Sequence, residues 1–318
     1  MTYFPKKEVV EMRTVYANTL LELAEKDEKV IALEADLSSA ITTDKIKEQL
    51  KNQYVNLGIM EAEMIGTAAG LSVTGFKPFV HTFANFATRR VYDQVFVSLA
   101  YAQLNAVILG SDAGVTAEHN GGTHMSFEDL ALMRIIPKNK VYEASDSTLL
   151  RYLLHKGYKE AGLTYIRTIR KNAMQLYKED EAFITGSKTL REGEDLAILA
   201  SGIMVSDALE AAEALAKEGI EAMVMDMYQL KPIDQSAILK AAQTGAIITA
   251  ENHNVIGGLG SAVAEVLAEE APTHHYRVGI REKFGQVGTM DWLKEDYLIN
   301  VNEIVVQAKK LLLKKNNL

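Results

Sequence analysis

The chain has 318 residues, 48% hydrophobic and 24% charged, with 34 Lys and Arg against 42 Asp and Glu for a net charge of −8. That length predicts two domains, each able to bury a core, and the balance excludes a disordered, collagenous or membrane-embedded chain. The acidic excess gives no general attraction for nucleic acid, and the absence of cysteine excludes disulfides, thiolate zinc sites and cysteine nucleophiles while fitting a reducing cytoplasm.

From the N-terminus, MTYFPKKEVVEMRT has neither an apolar signal core nor an Arg-rich, acid-poor transit pattern. No later stretch approaches the roughly 18 apolar residues that a spanning helix needs. Strands are predicted at Val30–Glu34, Tyr54–Leu57, Pro78–Thr82, Ala106–Leu109, Lys140–Glu143 and Leu163–Thr168, then at Leu196–Ala200, Ala222–Met227, Ala246–Ala250 and His275–Val278. Helices fall between them at Val9–Lys26, Glu61–Val73, Arg89–Tyr101, Ser126–Arg134, Ser147–Lys156, Val205–Glu218, Gln235–Gln243, Leu259–Glu269 and Ile304–Leu313. The strands are apolar runs instead of alternations, so they belong to parallel sheets covered by helices on both faces. The fold class is α/β, with two doubly wound domains. The polar segment Leu176–Asp195 breaks the rhythm with a Gly-Ser pair and a Glu-Gly turn, which puts the boundary near residue 186 and the domains at 1–186 and 187–318. The C-terminal VVQAKKLLLKKNNL is an amphipathic helix with a solvated basic side.

Several segments concentrate chemistry. In Asn56–Ser72 a strand runs into a helix carrying Glu61 and Glu63 in its first turn. Both acids stabilise the positive helix end; alternatively, Glu61, set among Ile59, Met60 and Ile65, has a raised pKa and shares a proton with a ligand nitrogen. In His81–Val95, just past a strand end, Phe83 and Phe86 are placed to pack in the core or to wall a flat heterocycle. Arg89 and Arg90 are solvated or pair with Asp93. The loop within Ile108–Asp129 gathers Asp112, Glu118, His119, Asn120 and His124 over the sheet's C-terminal edge, which favours a site over scaffold. The spacings of Asp112 and His119 to His124 match no recognised metal pattern. Arg167 and Arg170 end a strand, suited to capture of a phosphate or carboxylate, or to an interface ion pair. A GGLG before the helix at Leu259 is either a phosphate turn or a tight connection.

In this order, IMEAEM, TFANF, GSDAGV with GGTHMSFEDLALMR, and YIRTIRKNA resemble the C-terminal half of a transketolase over nearly the whole chain. The resemblance implies a pyrimidine-binding domain, a smaller transketolase C-terminal domain and thiamin diphosphate as cofactor. It gives Glu61 the role of holding the aminopyrimidine in the tautomer that removes the thiazolium C2 proton. It places Phe83 and Phe86 around the pyrimidine, His124 by the cofactor amine and the bound sugar, Asp36 near the thiazolium, and Arg170 at the substrate's anionic end. Deoxyxylulose phosphate synthases and 2-oxoacid dehydrogenase β subunits share the architecture, and a non-catalytic subunit retaining it is a further alternative.

A full transketolase also carries a GDG with a downstream Asn that binds the diphosphate and a divalent metal, and no GDG occurs here. The resemblance therefore implies a split, cytoplasmic enzyme: a separate N-terminal subunit holds Mg²⁺ or Ca²⁺, the assembly is (αβ)₂, and this chain is inactive alone. Two substrate-side positions depart from the family pattern. Asp112 stands where a histidine is usual and Asn120 where an aspartate is usual, which re-aims specificity toward an unusual phosphorylated, sulfonated or branched ketose.

Overall fold

Val30–Glu34 (β1) and Leu163–Arg167 (β6) are buried along their whole length, as strands covered on both faces must be. The computed structural model describes residues 5–316. The other strands are β2 Tyr54–Asn56, β3 Lys77–Phe83, β4 Ala106–Ser111, β5 Lys140–Glu143, β7 Lys188–Arg191, β8 Leu196–Ala200, β9 Ala222–Asp226, β10 Gln229–Lys231, β11 Ala246–Asn254 and β12 His274–Ile280. They form two sheets, β10-β5-β6-β4-β3-β1-β2 and β12-β11-β8-β9-β7, parallel except for β10 against β5 and β7 against β9. The two-sheet α/β architecture is the one expected.

Three differences from the sequence-based expectation have physical causes. β7 and β10 are short polar edge strands, KTLR and QLK, with no apolar run to announce them. β10 lies beyond residue 186 yet completes the first sheet, so that sheet has seven strands. The helix expected over Arg89–Tyr101 is instead a 3₁₀ turn, a single α turn and a wide π turn over Val95–Tyr101. Its buried residues Val91, Val95 and Leu99 recur every four positions, which a wider turn keeps on one face. The C-terminal helix, Val301–Asn316, buries Ile304, Ala308 and Leu311, with the last two residues of the chain outside the described range. Among the described residues no helix is long and apolar enough to cross a membrane.

The sheets meet around one guanidinium. Arg167, 1% exposed, binds Asp129 through Nε at 2.8 Å and Glu143 through Nη1 at 2.5 Å, and its Nη2 donates to the Asn252 carbonyl across the junction at 2.8 Å. Glu143 also accepts from Ser201 Oγ of the second sheet's side at 2.5 Å. The strand-end arginine thus takes the interface ion-pair role. Nearby, Glu251 accepts the backbone N–H groups of Leu259 (2.7 Å) and Gly260 (2.9 Å). The GGLG turn is therefore capped by the chain's own carboxyl, and a side chain at Gly258 would collide with it.

Burial pushes Glu251 up to about 8 from its ordinary 4.5. Between those values the folded chain holds a proton that the unfolded chain has released. The stability tied to this group is complete below pH 4.5 and lost as pH rises through 8. Glu251→Gln is expected to flatten the fall in urea-unfolding free energy over that window, by up to about 1.4 kcal/mol per pH unit. Parallel curves for the two proteins would refute the assignment.

Candidate active site

The C-terminal ends of β2, β1, β3, β4 and β6 lie side by side, and the candidate residues leave the sheet there. A polar row underlies them. Glu34 and His81 are joined at 2.9 Å, His81 and Ser111 at 3.0 Å, and Thr43 donates to Glu34 at 2.7 Å, all of them buried. Full satisfaction makes these polar groups tolerable in the core.

Phe83 ends β3, and the single helical turn Ala84–Ala87 carries Phe86 onto the same wall. Their ring centroids are 5.9 Å apart, and His124 meets Phe83 at 5.8 Å and Phe86 at 5.2 Å, edge-on to both. Asn85 ties this turn to the His124 loop by donating to the Thr123 carbonyl at 2.7 Å. Its Oδ1 is buried and unpartnered. Burial first, and then the Arg90 charge, hold the His124 imidazole below its ordinary 6.5, so it is neutral at pH 7.

Glu61 opens the Glu61–Val73 helix and is only 5% exposed, but its pocket differs from the expected one. Ile59 and Met60 point outward, 73% and 54% exposed, and Arg90 closes over the carboxylate, donating Nη1 to Oε1 at 2.6 Å. Neither arginine pairs with Asp93: Arg89 binds Glu128 at 2.9 Å. Nothing local in the sequence signals the Arg90 pair, whose members are 29 positions apart.

Asp112 has φ +53° at the end of β4 and is ion-paired with Arg170 through Nε, while the Arg170 backbone N–H donates to its other oxygen at 3.3 Å. Burial raises the Asp112 pKa, against the opposing pull of Arg170. The Arg170 guanidinium lies 5.0 Å from the Phe83 ring centroid. Phe83, Phe86, His124, Asp112 and Arg170 therefore line one continuous wall, and Glu61 joins it through Arg90, whose guanidinium also lies over Phe86. Asp36, whose backbone N–H donates to Asn56 at 3.0 Å, and Asn120, at the end of the 3₁₀ segment Gly114–Asn120, are exposed. Among the described residues no group of three or more His, Asp or Glu is placed to hold a metal ion.

The second domain holds the His124 loop in place, a role that sequence reasoning did not reach. Asn252 accepts from Val115 N and donates to the Ala113 carbonyl, both at 3.0 Å, and Glu118 accepts from Met290 N at 3.1 Å. Gly114, at φ +60°, lies against Asn252 where a side chain would collide.

A buried carboxylate, an aromatic pair and an unpartnered amide oxygen suit a flat amino-heterocycle. Residues 8–175 match the family described as transketolase, pyrimidine binding domain, and residues 186–304 match transketolase, C-terminal domain. The chain belongs to the transketolase family. It is 48% identical over 307 residues to the 6-deoxy-6-sulfo-D-fructose transketolase subunit SqwH of Clostridium sp. (strain MSTE9), covering 96% of this chain and 95% of that one. It is 38% identical over 264 residues to a subunit of the apulose-4-phosphate transketolase of Phocaeicola vulgatus, covering 82% and 85%. Among solved structures, a split gene transketolase described as an inactive β4 tetramer superposes with a TM-score of 0.88 at 39% identity, over 96% of this chain and 99% of that one. A transketolase pyrimidine-binding domain implies thiamin diphosphate as cofactor, and the wall fits its aminopyrimidine half.

The Asp112–Arg170 pair can be weighed by itself. In a double-mutant cycle of Asp112→Asn and Arg170→Ala, urea unfolding is expected to give a coupling energy of about 1–3 kcal/mol. Additive losses would show that the two side chains act independently.

Proposed function

We propose that this chain is the C-terminal subunit of a split transketolase that moves a two-carbon ketol unit from an anionic ketose to an aldose. The observation that carries this reading is the buried Glu61, linked through Arg90 to the Phe86 ring of the Phe83, Phe86 and His124 cluster, in a chain that aligns end to end with transketolase subunits. When bound, thiamin diphosphate supplies the nucleophilic carbon that takes up the ketol unit. Glu61 holds a proton at the edge of the pyrimidine, and Phe83 and Phe86 orient the ring and exclude water. His124, neutral and edge-on to both rings, accepts or returns a proton at the amine or at a substrate hydroxyl. Asp36 borders the thiazolium side.

An N-terminal subunit holds the diphosphate and Mg²⁺ or Ca²⁺ in an (αβ)₂ assembly. The relatives named as subunits support that partner, and the lack of cysteine suits a cytoplasmic setting. On the substrate side, Arg170 uses Nε on Asp112 and keeps its Nη groups for an anionic terminus. Asn120 reads a sugar hydroxyl without adding charge. A sulfonated ketose is the favoured donor, supported by the likeness to the sulfofructose enzyme subunit.

Mixing the purified chain with its N-terminal subunit, thiamin diphosphate and Mg²⁺ is expected to give ketol transfer that neither chain shows alone. Glu61→Gln should lower the rate of the mixture by several orders of magnitude. Transfer by the single chain, or full activity of Glu61→Gln, would contradict the reading. Asn120→Asp is expected to change the ratio of kcat/KM between ketose donors, and an unchanged ratio would remove Asn120 from the specificity site.

A further inference from the structure

Arg90 contacts Glu61 and Phe86 in the manner of a bound ligand. Its guanidinium carbon lies 3.6 Å from the Phe86 ring centroid while Nη1 donates to Glu61 at 2.6 Å. The same ring meets His124 edge-on at 5.2 Å. A guanidinium is flat, offers a face to an aromatic ring and points its N–H groups outward in its own plane. An aminopyrimidine has the same three properties, and the two cannot share one face of Phe86 and one oxygen of Glu61.

The two members of the contact differ in how firmly they are held. Glu61 is fixed at the start of a helix and nearly covered, whereas the Arg90 side chain is 45% exposed and has solvent into which to withdraw. Its neighbour Arg89 is held by Glu128 and does not compete for the site. A buried carboxylate without any partner is costly, and Arg90 supplies that partner in the free chain. The guanidinium has donors only, however, whereas a ring nitrogen can also accept a hydrogen bond. The contact with Arg90 satisfies the carboxylate but cannot serve the reaction.

We propose that Arg90 sets the cofactor affinity of this chain by holding the place of the aminopyrimidine on Phe86 and Glu61 until the ring displaces it. The proposal rests on thiamin diphosphate being the cofactor. It requires that each binding event spend part of its free energy on expelling the side chain, so removing that side chain should tighten binding.

The test compares wild type, Arg90→Met and Arg90→Lys, each assembled with the N-terminal subunit and titrated calorimetrically with thiamin diphosphate in the presence of Mg²⁺. Arg90→Met is expected to lower Kd about tenfold, equivalent to about 1.4 kcal/mol. Arg90→Lys, which keeps the charge but loses the flat face, should fall between. In the free chain, Arg90→Met should also raise the His124 pKa followed by NMR, because a neighbouring positive charge has gone. An unchanged or higher Kd in Arg90→Met overturns the proposal alone. A wild-type assembly that binds no thiamin diphosphate overturns the functional reading and this proposal together.

Discussion

One buried cation organises the molecule. Arg167 leaves the C-terminal end of β6, pairs with two buried carboxyl groups, and reaches the backbone of β11 in the other sheet. Charges removed from water are tolerated only when they are paired and their hydrogen-bonding capacity is used. The Arg167 cluster meets that condition only with both sheets in place, so the junction has one satisfied arrangement. Neighbouring parts of the fold inherit their positions from it.

The aromatic wall is among those parts. The loop carrying His124 starts from β4 of the first sheet, but Asn252 and Met290 of the second domain fix its course. The sheet edge supplies the first rings and the carboxylates, and the second domain supplies the angle at which His124 approaches them. That division explains why the wall is a single surface although its contributors come from four strand ends and from a loop longer than a tight connection needs.

The legible parts of this structure were those set by local pattern. Apolar pentads such as Leu196–Ala200 announced buried parallel strands, and Phe83 and Phe86, three residues apart past a strand end, do bring two rings side by side. The illegible parts depended on pairing across long separations or on elements with no apolar signature. The Arg90 contact with Glu61 spans 29 positions, the Arg170 contact with Asp112 spans 58, and neither has a local cue. β7 and β10 are polar and short, and they are strands only because an open edge of a sheet waits beside them. His81 and Glu34 did carry a signal, being polar residues inside apolar strands, and the polar row they form beneath the site is the reason they are tolerated there.

Strand β10 bears on how such a protein can be rearranged in evolution. It belongs by chain order to the second half and by hydrogen bonding to the first, where it covers the outer side of β5. A gene break in the polar segment 176–195 would leave β5 as a naked edge, open to pairing with other chains. Recombination that exchanged one C-terminal half for another would have to bring a Gln229–Lys231 equivalent matched to the recipient's β5. The two halves are therefore coupled through β10, and a break placed between them exposes a sheet edge.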